Sequence, residues 1–194
     1  TLPFIGQGMA TDATPTVDQI MDRVLVSHDW VGANFERLLR EQDPTGDMRR
    51  MLKGVTAVVL GVQVRPSFYY AATGAIYLDA DNFWLTAAER DTLNETPDYR
   101  SAFGRTLNYS GLWRYARNTG SWFGYFDSRI RQDRAAEHLQ RDAGWLMYHE
   151  LAHANDFMPP ASLAVLGPTN DSAWGVIYPR YAAGQLPSDL INVT

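Results

Sequence analysis

The chain has 194 residues, of which 45% are hydrophobic and 20% charged, and its formal net charge is −5 at pH 7. These values are ordinary for a globular protein and allow one domain with a hydrophobic core. No apolar run reaches about 18 residues, so no transmembrane helix is expected. The basic residues form no long run, which argues against a nucleic-acid partner. The lack of Cys excludes disulfides and thiolate ligands, so any metal site must use His, Asp, Glu or water.

Residues 1–15 are rich in Gly, Thr and Pro and predict a flexible N-terminal arm, followed by a single domain over residues 16–194. Apolar residues then recur at helical spacing over residues 17–40, which predicts one long amphipathic helix. A short helix is expected at residues 47–53. The β-branched run at residues 55–64 predicts a strand.

A second strand is predicted at residues 74–79, and Thr86 begins a capping box that predicts a short helix. Residues 101–127 are dense in aromatic side chains and Arg without a regular period. This composition favours an irregular packed segment over a platform that stacks sugars or bases. The longest helical pattern covers residues 128–157, with Asp133 as its candidate cap. Together these patterns predict an α+β fold, with a small mixed or antiparallel sheet packed on a long helix and a small C-terminal subdomain.

The most informative stretch is His149-Glu150-Leu151-Ala152-His153, which reads His-Glu-x-x-His. Two His four residues apart lie one turn apart on one face of a helix, so both imidazoles can bind one metal ion. Zn²⁺ suits these ligands, and it lowers the pKa of a bound water towards neutrality. Glu150 can then act as the general base that takes a proton from this water. The uncharged residues around the motif indicate a buried helix rather than a chance His pair at the surface.

With this motif, the chain resembles the zincin metallopeptidases. The resemblance implies a zincin-like fold, a metal held by His149 and His153, and Glu150 as the base. Zincins are similar to one another in having an edge strand beside the active-site helix, to which the substrate backbone pairs. Residues 75–79 are the candidate for that strand, although the same residues could equally form an internal strand.

Catalytic zinc normally takes three protein ligands, and no His or Glu follows His153. Asp171 and Asp156 are the main candidates. Asp156 lies on the helical face of the two His but has a short side chain, which favours a role at the helix end or in orienting a ligand. Asp189 has little support as the third ligand. A further alternative is a Glu supplied by a natural chain that continues past Thr194.

The stretch from Gly167 to Gly175 is similar to the Gly-Thr-x-Asp-x-x-Tyr-Gly signature of the aspzincins, the deuterolysin-like group. This resemblance implies that Asp171 is the third ligand. The sequence departs from the signature at Pro168, which is inserted, and at Trp174, which replaces the Tyr thought to stabilise the oxyanion. Tyr178 or Tyr181 could supply that hydroxyl instead.

The sequence therefore predicts a zinc-dependent metalloendopeptidase that acts on a peptide or protein substrate. The alternatives are a non-catalytic zincin-like domain that serves structure or partner binding, and a zinc-dependent amide hydrolase of cell-wall material. The Trp, Tyr and Asn content favours an exported bacterial protein, periplasmic or secreted. Because the chain starts at Thr1, we expect it to be processed or shortened. The oligomeric state is open.

Overall fold

A computed structural model describes residues 2–93, 132–167 and 172–191, together with the backbone of residues 115–116 and 122–123. Helices pack with a four-stranded mixed sheet, which confirms the mixed helix-and-sheet prediction. In the described ranges, no helix combines the length and the apolar character that crossing a bilayer requires.

The main elements follow in chain order. The helices are α1 (Val17–Met21), α2 (Asp29–Glu41), α3 (Asp47–Met51), α4 (Ala87–Asp91), α5 (Glu137–Phe157), α6 (Pro160–Ala164) and α7 (Ala173–Ala182). The strands of the main sheet are β1 (Val24–Val26), β2 (Val58–Gly61), β3 (Phe68–Tyr70) and β4 (Ala75–Asp79). A separate antiparallel pair joins β5 (Tyr115–Ala116) to β6 (Trp122–Phe123).

The strand order in the sheet is β1-β2-β4-β3, with β3 antiparallel to β4 and the other neighbours parallel. Residues 75–79 are therefore not the edge strand but the internal strand that the sequence allowed equally, because β4 is paired on both sides. Ile76 and Leu78 are fully buried, as expected for an internal strand. The edge beside α5 is β3, where Phe68 and Tyr70 are exposed.

The single helix predicted over residues 17–40 is divided into α1 and α2 by β1. The α1 capping box at Thr16 forms as expected. Helix α1 then ends, because the following strand β1 pairs with β2. The Val58 N–H donates to the Arg23 carbonyl, and the Ser27 N–H donates to the Leu60 carbonyl, both at 2.9 Å. Long-range pairing thus overrides the helical period.

The long helix α5 begins at Glu137, later than predicted, and the segment 128–131 lies outside the described residues. Asp133 does not cap it. Its carboxylate instead accepts the Ala87 N–H at 2.9 Å, beside the start of α4. The buried face of α5 follows the helical period and packs on the sheet through Leu139, Ala143, Met147, Leu151 and Ala154.

The N-terminal segment, for which the sequence predicts a flexible arm over residues 1–15, contacts the rest of the chain. Phe4 is buried in a second apolar cluster with residues of α6 and α7. The Ile5 N–H donates to the Val55 carbonyl at 2.8 Å. The Lys53 ammonium group donates to the carbonyls of Ala10 and Thr11 at 2.7 and 3.0 Å. The segment forms turns at residues 5–8 and 11–12 and has no helix or strand among its described residues, which accounts for the absence of a period.

Candidate metal and catalytic site

The motif lies in the C-terminal half of α5, on the side of the helix next to the buried face. His149 and His153 are one turn apart, with ring centroids 5.1 Å apart and ring planes at 82°. Both line an open cleft of about 530 Å³. Neither ring has a hydrogen bond to any part of the chain that the structure describes. Their nitrogens are therefore available to a ligand.

Glu150 lies between the two His in sequence, and only 5% of its surface is exposed. Its Oε2 accepts the Tyr69 backbone N–H at 3.0 Å. Burial raises the pKa of the Glu150 carboxyl, while the nearby His149 and His153 and the Tyr69 N–H oppose that rise. A carboxylate held by one oxygen at the cleft, with a raised proton affinity, has the properties of a general base.

The hydrogen bond from Tyr69 also joins the sheet to the helix. Tyr69 is in the edge strand β3, so its N–H points away from β4 and towards α5. The edge of the sheet and the face of α5 that carries the motif thus form opposite walls of one cleft. The strand that borders the motif helix is therefore β3 and not β4.

Most of the other side chains in the cleft are apolar or aromatic. Trp145 stacks on His149 with ring centroids 5.6 Å apart, and Phe157 stacks on Tyr69 at 5.8 Å. The Tyr69 hydroxyl is buried and has no hydrogen-bond partner among the described residues, and burial raises its pKa. The lining of the cleft comprises Pro66, Ser67, Phe68, Tyr69, Trp145, Leu146, His149, Glu150, His153 and Phe157.

The described side chains that could bind a metal, His149 and His153, suit zinc. Two imidazoles lie one turn apart beside a buried carboxylate and make no hydrogen bond to the described residues, an arrangement that suits two ligands and the base of a catalytic zinc site. Among the described residues, no group of three His, Asp or Glu side chains is placed to bind one metal ion. Asp171, the predicted third ligand, lies outside the described residues. It immediately precedes Ser172, which caps α7 by accepting the Gly175 N–H at 3.0 Å.

The alternative ligand Asp156 has other partners. Its two carboxylate oxygens accept the backbone N–H and the hydroxyl of Ser188, at 2.7 and 2.6 Å. Asp189 accepts the Leu186 N–H at 3.1 Å. Neither Asp is part of the cleft lining. These contacts agree with the helix-end role considered for Asp156.

The structure does not bring Tyr178 into the described cleft. Tyr178 is half exposed on α7, with its ring 5.2 Å from that of Trp174, and Tyr181 is exposed on the same helix. The aromatic segment 101–127 lies outside the described residues, apart from the backbone of β5 and β6.

Sequence reasoning missed two parts of the cleft. Trp145 lies four residues before His149, so helical spacing could have placed it on the same face of α5 as the motif. The Tyr69 N–H is a backbone group, and no side-chain pattern identifies it.

The sequence matches no protein-family model, no curated protein and no solved structure. Any function must therefore be inferred from the chemistry of the site.

Proposed function

We propose that this protein is a zinc-dependent metallopeptidase with a zincin-like fold. The observation that carries the proposal is the placement of His149, Glu150 and His153 on one helix at an open cleft, with the carboxylate fixed by the edge strand. A site that bound zinc only for structural reasons would not need a buried carboxylate beside its first ligand. This disfavours a non-catalytic zincin-like domain.

His149 and His153 would hold the ion, and Asp171 is the proposed third ligand. Bound zinc would supply Lewis acidity and a water that loses its proton near neutral pH. The described residues offer no competing third ligand. In the sequence, Asp171 directly precedes Ser172, the cap of α7, and Ile177 of α7 belongs to the same buried cluster as Met158, the residue that follows α5.

Glu150 has the central role among the residues of the chain. It accepts a proton from the attacking water and transfers it to the leaving amine nitrogen. The Tyr69 N–H holds Oε2 in place, which leaves Oε1 without a described hydrogen-bond partner and free for proton transfer. Because the Glu150 carboxylate is already fixed in the folded protein, it loses less conformational entropy on reaching the transition state.

The substrate is a peptide or protein segment that lies along the cleft between α5 and β3. An extended peptide beside an edge strand gains backbone hydrogen bonds that do not depend on its sequence. Since the Glu150 carboxylate uses the Tyr69 N–H, the main group offered by β3 at this position is the Tyr69 carbonyl. The remaining affinity must come from side-chain contacts in the cleft.

The test combines zinc content with hydrolysis of an unfolded protein. Wild type should bind about one zinc per chain and cleave the substrate, and a chelator should stop cleavage. Glu150→Gln should keep its zinc but lose about 10²–10⁴-fold in rate. Glu137→Gln is the matched control, because Glu137 lies on the same helix, is exposed and is outside the cleft.

Zinc content also tests the third ligand. Asp171→Ala should lose most of its zinc in dialysis against a weak chelator, whereas full retention would show that another group completes the site. Absence of zinc from wild type after metal is added back, or full activity of Glu150→Gln, would overturn the proposed function.

A further inference from the structure

The N-terminal segment contributes a buried side chain to the cluster formed by the C-terminal helices. Phe4 is 4% exposed and belongs to the second apolar cluster, together with Met158, Leu163, Ala173 and Ile177. Met158 follows the motif helix α5, and Ala173 is the first residue of α7. One side chain from the start of the chain therefore shares a buried cluster with the end of α5 and the start of α7.

A second residue of the N-terminal segment forms hydrogen bonds close to the same cluster. The Gln7 Nε2 donates to the Gly167 carbonyl at 2.6 Å, and the Gln7 Oε1 accepts the Phe4 N–H at 3.2 Å. The Gly8 N–H donates to the Leu163 carbonyl at 3.1 Å. The segment is thus bonded to the chain between α6 and α7 at the last described residue before Ser172.

A glycine of the main sheet shows how closely these parts approach one another. A Cβ added to Gly74, in the turn between β3 and β4, would lie 2.9 Å from the Ala173 Cβ and 3.1 Å from the Phe4 Cε1. Both distances are shorter than an ordinary van der Waals contact, so there is no room for an additional methyl group. The start of α7 and Phe4 are therefore closely packed with the hairpin that contains the edge strand of the cleft.

The N-terminal segment is also linked to the C-terminal end of the motif helix. The Ile5 N–H donates to the Val55 carbonyl at 2.8 Å. Val55 follows Gly54, where an added Cβ would lie 3.4 Å from the carbonyl oxygen of Ala154. Since Ala154 directly follows His153, the segment pairs with a stretch of backbone that lies against the last part of the motif helix.

We propose that Phe4 and Gln7 are positioning residues of the zinc site, because they hold the chain on both sides of the proposed third ligand. This inference rests on the proposed function, in which Asp171 is that ligand. Only five residues separate Gly167 from Ala173, so contacts at these two residues limit the positions that the chain between them can take. A ligand limited in this way loses less conformational entropy when it binds the metal, and zinc is therefore bound more tightly.

The test is the dissociation constant for Zn²⁺, measured by competition with a chromophoric chelator. Gln7→Glu keeps the acceptor for the Phe4 N–H but replaces the donor to the Gly167 carbonyl with a carboxylate oxygen. It should raise the dissociation constant by about tenfold, the lower end of the range for groups that orient metal ligands. Phe4→Ala should have a similar effect, whereas Phe4→Leu, which keeps a large apolar side chain, should retain most of the affinity. Because Gln7 is only half-buried, Gln7→Glu tests the inference even if Phe4→Ala does not fold.

A comparison of double variants distinguishes positioning from a general loss of stability. In the Asp171→Ala protein, Gln7→Glu should change the zinc dissociation constant by less than about twofold, because the ligand that it positions has been removed. Thr86→Ala is the matched control: it removes the cap of α4 and should lower the Tm of the metal-free protein without changing zinc affinity. Unchanged affinity in both Gln7→Glu and Phe4→Ala, or the same loss from Gln7→Glu in the Asp171→Ala protein, would overturn the inference.

The affinity measurements do not depend on hydrolysis, so they separate the positioning role from the peptidase function. Weaker zinc binding by Gln7→Glu, together with no cleavage of an unfolded protein by zinc-loaded wild type, would support the positioning role and refute the peptidase function. Cleavage by wild type with unchanged zinc affinity in both variants would refute the positioning role and leave the peptidase function in place.

Discussion

Replacing Asp156 with Ala should weaken the fold but leave zinc binding intact. Its carboxylate oxygens accept two hydrogen bonds from Ser188, at 2.7 Å from the N–H and 2.6 Å from the hydroxyl. A hydrogen bond to a charged group contributes about 1.5–3 kcal/mol to stability when water is excluded from it. Because Ser188 is exposed to solvent, we reduce the contribution of each of the two hydrogen bonds to about 1 kcal/mol. The sum, about 2 kcal/mol, corresponds to a fall of roughly 4–8 °C in Tm for a chain of this size.

The assay is thermal unfolding of the metal-free protein followed by circular dichroism, together with the zinc content of the reconstituted protein. Ser188→Ala removes only the hydroxyl donor and should lose about half as much stability as Asp156→Ala. Both variants should bind as much zinc as wild type. Loss of zinc from Asp156→Ala with an unchanged Tm of the metal-free protein would refute this reasoning and make Asp156 the third ligand.

Three further substitutions test other parts of the structure. Tyr69→Phe should raise the free energy of unfolding by about 1 kcal/mol in a urea titration, because it removes a buried hydroxyl that has no partner in the described part of the chain; a loss of stability would contradict this. Burial raises the pKa of the Asp79 carboxyl above 3.8, so the contribution of this group to stability falls as the pH rises through its folded-state pKa. Asp79→Asn lacks that titration, and its stability relative to wild type should increase as the pH rises above about 4; a relative decrease would refute the direction of the shift. Gly6→Ala should cost about 1–3 kcal/mol, because a Cβ there would lie 2.4 Å from the Lys53 Cβ. Gly167→Ala, with no neighbouring atom within 4 Å, is its control, and equal stability of the two variants would show that the N-terminal segment is not closely packed.

Local patterns predicted several elements well. The capping boxes at Thr16 and Thr86 form as expected, because each depends on contacts within four residues. The spacing of His149 and His153 likewise placed both rings on one face of α5, since helical geometry determines that relation by itself.

Predictions that depended on distant partners were less accurate. The helical period over residues 17–40 gave no sign that Val24–Val26 would pair with β2. The N-terminal segment has no period, yet Lys53 and the buried side chain of Phe4 hold it against the domain. In both cases the decisive hydrogen bonds join residues far apart in the chain, so no local window contains them.

By itself, the sequence determined the helix that carries the motif, the pair of imidazoles and the carboxylate between them. All three follow from residue type and helical spacing, which are local properties. Only the tertiary structure decided which strand forms the edge of the cleft, because strand order depends on pairing across the sheet. The edge strand β3 in turn brings the Tyr69 N–H to Glu150, and that backbone contact has no counterpart in any side-chain pattern.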